Sequence, residues 1–424
     1  MSLIAIDLNK KIIHSLQRTP ESQKTQQGWN MKIGILGGGQ LARMLLQKGI
    51  ENGHEMHVLC QNNEPATFVT AFHHPGSPHS ESDLTSFFQK VDVITFESEF
   101  ISIPLLKKAL EKTAIVLKYS QSKKNKVPQF FPSLKSMEIL QDRLTQKQLL
   151  IKFKIPTLPF YNFENPDSGQ TLWSSSIIKR RRGGYDGYGT YSINGSIPSK
   201  ILKILKTNTE GHIVEPRIQF ERELALIFSR NRLGKIEIFP LVESFQEHSK
   251  CLWVKGPIEL KSKPEQDLKK LIKKISAMLH SLPYVGVMAF ELFQISKDEQ
   301  KRLQLKSSLI VNEIAPRVHN SGHFSLNAMD KDQFTSHLHA ITQRNSSSPE
   351  LYVKNFVMLN LIGSYKGPAH FPNGQQGTLH WYGKMDSKLG RKLGHINYQS
   401  HFKTQNELLK IALKDLKKWR ERTL

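Results

Sequence analysis

A basic, glycine-rich stretch near the middle of the chain restricts the folds open to it more than any other segment. Residues Lys179 to Gly189 read KRRRGGYDGYG and follow the apolar pair Ile177-Ile178. Glycine permits left-handed turns and close backbone approach, so the pattern predicts a strand that runs into a hairpin. Amide groups of such a hairpin can surround phosphate oxygens while Lys179 supplies a positive charge. A basic surface turn is the simpler alternative, but Asp186 favours a site that also orients a reacting group.

Length and composition exclude several classes of protein. The chain has 424 residues, of which 38% are hydrophobic, which is enough for two or three domains. It has no run of about 18 apolar residues, which argues against a membrane-spanning helix. Cys60 and Cys251 are the only cysteines, which is typical of a reducing compartment and argues against a structural zinc site. We therefore expect a cytoplasmic protein without membrane partners.

The strong positive charge raises nucleic acid as a partner. The chain has 60 Lys and Arg against 37 Asp and Glu, a net charge of +23. The lysines are scattered, however, and pairs such as Lys269-Lys270 and Lys273-Lys274 fall on the polar side of a helical pattern. A solvated basic face explains them better, so we do not expect nucleic-acid binding.

The first thirty residues differ in pattern from those that follow. Gln17 to Asn30 is polar, whereas Met31 begins a strand pattern, and the segment lacks the order of a secretory signal. We expect a disordered extension over residues 1–30, with a short amphipathic helix near Leu3 to Leu16 as the alternative.

The next segment predicts a doubly wound parallel sheet. An apolar run from Met31 to Leu36 leads into Gly37-Gly38-Gly39-Gln40 and then into a helical pattern, and His54 to Cys60 and Val91 to Phe96 read as two further strands. The turn GGGQ lacks the GxGxxG spacing, so a nucleotide monophosphate is as acceptable here as a dinucleotide.

Two acidic residues follow the last of these strands. Thr95 to Glu99 lies at the edge where doubly wound sheets bind ligands. One of its glutamates contacts a ligand in this interpretation, and a solvated loop acid is the alternative. Lys123 to Lys126 is a polar, basic break that we interpret as the approach to a domain boundary.

Two later apolar strands each deliver a glutamate. They are Val285 to Glu291 and Leu309 to Glu313. Carboxylates on rigid strands are the hard oxygen ligands that a magnesium ion bridging nucleotide phosphates requires. A pair of loop acids is the alternative, and the strand pattern favours the metal site.

The loop that follows concentrates polar side chains. Ala315 to His323 contains an arginine that can fork onto a planar oxyanion and two histidines that can titrate near neutral pH. This density beside a candidate metal site predicts an active site. Further on, Thr378 to Lys384 and Gly390 to His395 read as a hairpin that brings more cations to an anionic ligand.

Four motifs occur in a characteristic order: Asp142 to Leu149, Gly183 to Gly187, Asn312 to His323 and Gly390 to His395. Together they resemble the ATP-grasp ligases and, among these, the N5-carboxyaminoimidazole ribonucleotide synthetases of purine biosynthesis. The resemblance extends from about residue 31 to about residue 398.

The resemblance implies an α/β fold with ATP-grasp architecture. It implies an N-terminal doubly wound parallel sheet domain over residues 31–140 and a small lid domain over 141–215. A mixed-sheet C-terminal domain would follow over 216–424, with a small terminal β subdomain from about 353. It also implies a homodimer.

The activity implied by the resemblance is the carboxylation of 5-aminoimidazole ribonucleotide. ATP and magnesium would activate bicarbonate as carboxyphosphate, which then reacts with the exocyclic amine. ATP would contact Arg143, Lys179, Gly183, Gly184, Tyr185, Asp186, Gly187, Gly189, Glu215, Pro216, Arg217, Ile218, Glu223, Gln246, Asn312 and Glu313. The metal ligands would be Glu291 and Glu313. The ribonucleotide would contact Gly39, Gln40, Glu97, Tyr185, Asp186, Lys384 and Arg391. The catalytic residues would be Asp186, Arg317, His319 and Lys384.

The chemistry fits these residue types, although the chain departs from the family pattern at four positions. Phosphoryl transfer needs metal and cations more than a protein nucleophile, and a closing lid protects the unstable carboxyphosphate from water. Tyr188 replaces a lid cation, so Arg180 to Arg182 would have to supply the phosphate contact. Gln246 replaces a histidine, and Ser98 and Phe100 replace Phe and Asn near Glu97.

Two other functions remain open at this point. Another ATP-grasp ligase would act on a different amine, and an inactive relative with the same fold would bind nucleic acid with a steep salt dependence.

Overall fold

The computed structural model describes residues 31–119, 126–163, 173–184, 186–207, 211–344, 347–364 and 366–421. The expectations for residues 1–30, for Lys123 to Asn125 and for Tyr185 lie outside these ranges. Within them, no helix combines the length and the apolar character needed to cross a bilayer.

The first described segment forms a parallel sheet of five strands with helices on its faces. The strands occur in the order β3-β2-β1-β4-β5. They are β1 (Lys32–Leu36), β2 (Glu55–Cys60), β3 (Phe72–Pro75), β4 (Val93–Phe96) and β5 (Gln129–Phe130). The helices that follow them are α1 (Gln40–Glu51), α2 (Glu81–Phe88), α3 (Ile103–Tyr119), α4 (Leu134–Leu140) and α5 (Arg143–Lys152). The predicted doubly wound sheet is confirmed, because the apolar runs are buried under helices on both faces.

Two edge strands of this sheet, β3 and β5, were missed in the sequence. The prediction counted Val91 to Phe96 as the third strand, but β3 precedes it at the sheet edge and the observed strand begins at Val93. The residues of β3, FHHP, are half-exposed or exposed, so no apolar run marks them.

A smaller antiparallel sheet of four strands follows, in the order β6-β9-β7-β8. Its elements are β6 (Tyr161–Phe163), β7 (Ser175–Arg180), β8 (Thr190–Asn194), α6 (Ser199–Thr207) and β9 (His212–Pro216). Strands β7 and β8 pair antiparallel around Arg181 to Gly189, which we call the glycine hairpin. The predicted strand and hairpin at this position are confirmed.

The remaining chain builds a nine-stranded sheet in the order β15-β14-β10-β12-β13-β16-β20-β18, with β11 paired to β10. Its strands are β10 (Arg222–Arg230), β11 (Ile236–Ile238), β12 (Val242–Glu247), β13 (Lys250–Gly256), β14 (Gly286–Gln294), β15 (Leu309–Ala315), β16 (Asn355–Ile362), β18 (Thr378–Trp381) and β20 (Lys392–Ser400). A two-stranded ribbon consists of β17 (Gly367–Pro368) and β19 (Asp386–Ser387). The helices are α7 (Ser262–Ser281), α8 (Lys297–Arg302), α9 (Ser325–Ala328), α10 (Gln333–Thr342) and α11 (Gln405–Glu421).

The sequence predicted a mixed sheet in this region. The ladders between the described strands of the nine-stranded sheet are antiparallel, and parallel pairing is found at an isolated bridge between Thr157 and Val311. The predicted hairpin near the C-terminus is confirmed, since β18 pairs with β20.

A shared core joins the parallel sheet to the nine-stranded sheet. Helix α10 packs against α1 on one side and against β10 and β14 on the other. Buried residues from both sheets and from these two helices, such as Ile35, Leu45, Val287 and Phe334, belong to one hydrophobic cluster. This packing holds the carboxyl edge of the parallel sheet next to β14 and β15, where the predicted site residues lie.

Candidate active site

A cleft of about 520 Å³ lies between the glycine hairpin, the edge of the nine-stranded sheet and the loop after β15. Most of the residues predicted to handle ATP, metal and bicarbonate line it together. They are Arg143, Lys179, Gly184, Asp186, Gly187, Glu215, Pro216, Arg217, Ile218, Glu223, Gln246, Glu291, Asn312, Glu313, Arg317 and His319. Gly183 and Gly189 lie in the hairpin at positive φ, 70° and 73°, and do not line the cleft.

Two carboxylates face each other at the base of the cleft. Glu291 and Glu313 are direct partners in the antiparallel ladder between β14 and β15, next to a register shift between Glu291 and Leu292. Burial, followed by repulsion from Glu313 and Glu223, raises the pKa of Glu291 to about 7. Its side chain is 39% exposed, but the exposed part faces the enclosed cleft, which hydrates an anion less well than bulk water. Glu313 is neutralised differently, by a two-pronged ion pair with Arg143 at 2.8 Å.

A buried network of two lysines supports the other wall. The Nζ atom of Lys179 lies 2.7 Å from Glu215 and donates to Asn312 at 2.9 Å. Lys147 forms an ion pair with the same glutamate and donates to Thr157 at 2.8 Å. Burial alone would raise the pKa of Glu215, but the two ammonium groups outweigh it and lower that pKa to about 2. The sequence prediction missed Lys147, whose position within a helical motif gives no sign that it is buried.

Glu223 is a half-buried acid with a buried oxygen that makes no hydrogen bond to the described residues. Burial raises its pKa to about 7, although a bond from the Gln246 side chain opposes the shift. Its Oε2 atom has no hydrogen-bond partner in the described part of the chain. Because Glu223 lines the cleft, this oxygen is available to a ligand's hydroxyl group.

The loop after β15 places Arg317 and His319 at the edge of the cleft. Arg317 forks onto Glu99, with Nη2 donating to Oε1 at 3.2 Å. Of the two acidic residues Glu97 and Glu99, it is Glu99 that lines this cleft. The prediction did not include Glu99 among the site residues. Only the packing of the parallel sheet against β15 brings it to Arg317.

His319 is held in one neutral form. Burial, followed by the charges of Arg317 and Lys392, lowers its pKa to about 3. The backbone N–H of Ser321 donates to its Nδ1 atom at 3.3 Å, so we place the ring proton on Nε2. That Nε2 atom lies 3.4 Å from Oε1 of Glu291. The imidazole can therefore donate a hydrogen bond into the cleft.

The residues predicted to bind the ribonucleotide form an adjoining cluster. Lys384 donates to Gln40 at 2.8 Å, and burial followed by the charge of Arg391 lowers its pKa to about 7. The backbone N–H of Gly39 donates to Glu97 at 2.6 Å. The sequence allowed a phosphate at this helix terminus, but the structure places a carboxylate on the amide that a phosphate would use. A side chain at position 39 would collide with that carboxylate, which explains the glycine.

The glycine hairpin closes over the cleft through specific contacts. Asp186 accepts from Lys392 at 2.9 Å, and the Gly184 carbonyl accepts from Arg143 at 3.1 Å. The outer wall of the hairpin is fixed by Arg181, which forks onto Asp142.

The cation that Tyr188 replaces has no obvious substitute in this arrangement. Arg182 also pairs with Asp142, at 3.3 Å. Arg180 donates to the hydroxyl of Tyr188 at 3.3 Å, and Tyr188 itself is 58% exposed. These arginines already contact acidic or aromatic side chains. A phosphate contact from Arg180 to Arg182 therefore stays a prediction.

Comparison with known proteins places these features in a family. The profile of the ATP-grasp domain matches residues 148–334, that of the ribonucleotide synthetase preATP-grasp domain matches 30–123, and that of the phosphoribosylaminoimidazole carboxylase C-terminal domain matches 357–408. An N5-carboxyaminoimidazole ribonucleotide synthase from Synechococcus elongatus is 33% identical over 377 residues, which cover 86% of this chain and 88% of that protein. The chain belongs to the N5-carboxyaminoimidazole ribonucleotide synthase family.

Other members of the N5-carboxyaminoimidazole ribonucleotide synthase family agree in sequence and structure. The Staphylococcus aureus (strain COL) synthase is 32% identical over 88% of this chain and 94% of its own length. The crystal structure of carboxyaminoimidazole ribonucleotide synthase from Aspergillus clavatus complexed with ATP superposes with a TM-score of 0.77 at 26% identity, covering 92% of this chain and 99% of that one. The S. aureus synthetase complexed with ADP gives a TM-score of 0.74 at 28% identity, covering 91% and 97%.

Family membership confirms three predictions made from the sequence. The chain has ATP-grasp architecture, it is an ATP-dependent ligase that forms a carbon–nitrogen bond, and it functions in purine biosynthesis. The individual residue roles are not decided by the comparisons, and we treat them as proposals.

Proposed function

We propose that this enzyme carboxylates the exocyclic amine of 5-aminoimidazole ribonucleotide, with ATP and bicarbonate as the other substrates. The products are N5-carboxyaminoimidazole ribonucleotide, ADP and phosphate. One observation supports this above the rest. A single cleft contains a lysine, two facing carboxylates and an Arg-His loop, and it adjoins the cationic cluster of Lys384.

ATP fits the part of the cleft next to β10 and β14. Lys179 and Arg143 would neutralise phosphate oxygens, and Glu223 would accept from the ribose hydroxyls through Oε2, which has no hydrogen-bond partner among the described residues. The segment Glu215 to Ile218 would line the adenine, beside the stacked rings of Phe220 and Phe293 at 4.7 Å.

Magnesium fits the two facing carboxylates. No cluster of three or more His, Cys, Asp or Glu side chains suited to a metal occurs in the described ranges, so a closed all-protein site is not built there. Magnesium does not need one, because it binds through one or two carboxylates together with substrate phosphates and water. Glu291 and Glu313, with Asn312 beside them, supply such a set. When bound, the metal would neutralise charge on the transferred phosphoryl group.

Bicarbonate fits beside Arg317 and His319. The guanidinium would fork onto the planar anion, and the Nε2–H of His319 would donate to the oxygen that attacks phosphorus or to the carboxyphosphate that results. The glycine hairpin, closed by Asp186 on Lys392, would exclude water from that intermediate.

The ribonucleotide fits the adjoining cluster. Glu97 and Gln40 would bind its hydroxyl groups, and Lys384 and Arg391 would neutralise its phosphate. Asp186 would accept a hydrogen bond from the exocyclic amine and so direct its lone pair at the carboxyl carbon.

The reaction can be tested directly with the purified enzyme. ADP release should require bicarbonate and rise when 5-aminoimidazole ribonucleotide is added, and label from carbon-13 bicarbonate should appear on the amine product in nuclear magnetic resonance. ADP release stimulated only by a different amine would overturn the assignment. Absence of turnover together with salt-sensitive nucleic-acid binding would favour an inactive relative.

The assembly state, the cellular location and the domain boundaries can be proposed as well. We propose a homodimer with domain boundaries near residues 140, 215 and 353, supported by the family resemblance, and a cytoplasmic location, supported by the two free cysteines. Light scattering behind size-exclusion chromatography tests the dimer, cell fractionation tests the location, and limited proteolysis tests the boundaries.

A further inference from the structure

Strand β15 forms an outer edge of the nine-stranded sheet, and the active-site loop continues from it. In an antiparallel sheet, the backbone groups of alternate residues face opposite neighbours. Those that face outward on an edge strand have no ladder partner, and buried ones must be satisfied in some other way. Backbone groups in the segment from Glu313 to His319 need such partners. The segment also contains three residues of the proposed mechanism, so its position matters for the reaction.

Gln146 replaces the missing strand at Ile314. This glutamine lies on α5 and is 5% exposed. Its Oε1 atom accepts from the N–H of Ile314 at 3.1 Å, and its Nε2 atom donates to the carbonyl of the same residue at 2.8 Å. A single side-chain amide thus pairs with both backbone groups of the residue directly after Glu313.

Gln333 repeats the arrangement at His319. It is the first residue of α10 and is fully buried. Its Oε1 atom accepts from the N–H of His319 at 2.9 Å, and its Nε2 atom donates to the carbonyl of His319 at 2.7 Å. The second Nε2 hydrogen points to Nδ1 of His323 at 3.0 Å, so both donors and the acceptor of the amide are used.

Both glutamines are themselves fixed by rigid elements. Asp142 caps α5 by accepting from Leu144 at 2.9 Å, and Asp332 caps α10 by accepting from Phe334 at 2.8 Å. The backbone N–H of Gln333 also donates to Ser325 at 3.0 Å. Because the caps fix both helix ends, each glutamine amide holds its backbone partner in a fixed position relative to the helix.

We infer that Gln146 and Gln333 are positioning residues for the carboxylation, which clamp the backbone beside Glu313 and at His319 by acting as strand surrogates. The inference rests on the proposed function, because it assumes that Glu313 helps to bind the metal and that His319 acts on bicarbonate. Neither glutamine contacts substrate in this account; each acts through its neighbour.

The two clamps predict different defects. Gln146→Met keeps an unbranched side chain of similar size and removes the amide, so Glu313 should lose its fixed orientation. Loss of a partner in the outer shell of a metal site weakens metal affinity by about 10- to 100-fold. Gln333→Met should instead lower the rate of carboxylation by about 10- to 100-fold, because misplacing a reacting group by about 1 Å costs up to that much.

Two readouts separate these effects. Binding of Mn2+ in the presence of ADP, followed by electron paramagnetic resonance, should weaken for Gln146→Met and stay within about twofold for Gln333→Met. Carboxylation measured at saturating metal should fall for Gln333→Met. In the His319→Ala background, Gln333→Met should have no further effect on that rate, whereas independent structural damage would multiply it.

The controls use the folded, full-length enzyme. Gln399→Met, on the exposed face of β20, should change neither readout. If a Met variant fails to fold, Gln→Glu at the same position keeps an acceptor and, when protonated, one donor, and it should retain part of the function.

Three outcomes would overturn the inference: full activity and metal affinity in both Met variants, the same defect in both readouts for both variants, or multiplicative effects of Gln333→Met and His319→Ala. A fully active His319→Ala would instead contradict the proposed role of His319. The two failures can therefore be told apart.

Discussion

Glu291 and Glu313 are directly opposite each other in one antiparallel ladder, yet their charges are handled in different ways. Glu313 has a guanidinium partner in Arg143, whereas Glu291 forms no ion pair with a lysine or arginine in the described ranges, and burial raises its pKa to about 7. The pair is an incompletely neutralised acidic site, which a divalent cation would complete.

The first prediction concerns the acidic pair itself. Glu313→Gln and Glu291→Gln should each lower turnover by about 100-fold or more, because an amide is a poorer ligand for a hard cation than a carboxylate. Steady-state ADP release measures the loss, and circular dichroism checks that the fold is intact. Glu265→Gln, which removes an exposed helical ion pair with Lys269, is the matched control and should be fully active. An active Glu313→Gln enzyme would show that the ligand assignment is wrong.

The second prediction is the pH dependence of metal binding. The pKa of Glu291 is about 7, so below pH 7 the metal must displace the proton of this side chain. Above pH 7 the side chain is already an ionised carboxylate. Affinity for Mn2+ should therefore fall by about tenfold per pH unit below pH 7 and level off above it. Titrations followed by electron paramagnetic resonance at pH 6, 7 and 8 measure this slope. It should disappear in Glu291→Gln, and an equal slope in that variant would contradict the assignment.

The third prediction concerns Lys384. Its pKa is lowered to about 7, so the ammonium charge is present below that pH and is lost above it. A phosphate monoester is already largely dianionic there, since its second pKa is about 6. The KM for the ribonucleotide should therefore rise between pH 7 and 8.5. Lys384→Arg stays cationic and should give a flatter profile; the same rise in that variant would assign the effect to another group.

The fourth prediction tests the anchor of the glycine hairpin. Asp142 caps α5 and accepts from Arg181, and although burial opposes the shift, these contacts lower its pKa. A depressed pKa means that the stabilisation is present above the unfolded value of 3.8 and is lost as the pH falls through the folded value. At pH 7, Asp142→Asn should lower the free energy of unfolding by about 2 kcal/mol and raise the KM for ATP.

The control for this anchor is a helix cap in the parallel-sheet domain. Ser80 caps α2 by accepting from the N–H of Asp83. Ser80→Ala should cost about 1 kcal/mol and leave the KM for ATP unchanged. If both variants altered the KM equally, Asp142 would have no specific link to the hairpin.

The fifth prediction separates stability from function at Glu223. Burial raises its pKa to about 7, so ionising it in the folded protein destabilises the fold progressively as the pH rises from about 4.5 to 7. Glu223→Gln avoids that cost and should unfold at a higher temperature than the natural enzyme at pH 8, but not at pH 4. The same substitution should weaken ATP binding, measured by calorimetry, if the free carboxylate oxygen accepts from the ribose.

Several elements could be predicted because their signals are local. Apolar runs mark three strands of the parallel sheet, and a run of turn residues marks the glycine hairpin. Strand β3 was not predicted because it lies at a sheet edge and its residues are exposed or half-exposed.

The residues that the sequence did not reveal act across long separations. Glu99 reaches Arg317 over 218 positions, and Gln146 reaches Ile314 over 168. A glutamine or lysine in a helix gives the same local pattern whether it is solvated or buried, so Lys147 and Gln333 could not be singled out.

The sequence by itself determined the order of the motifs, the type of each major element and the membership of a ligase family, because these depend on residue types at short spacing. Only the tertiary structure decided which carboxylate meets which cation, which helix terminus is already occupied by a glutamate and which backbone groups need a side chain as partner. Those outcomes depend on burial and on distances of a few ångströms, and only the packing of the separate sheets against one another sets them.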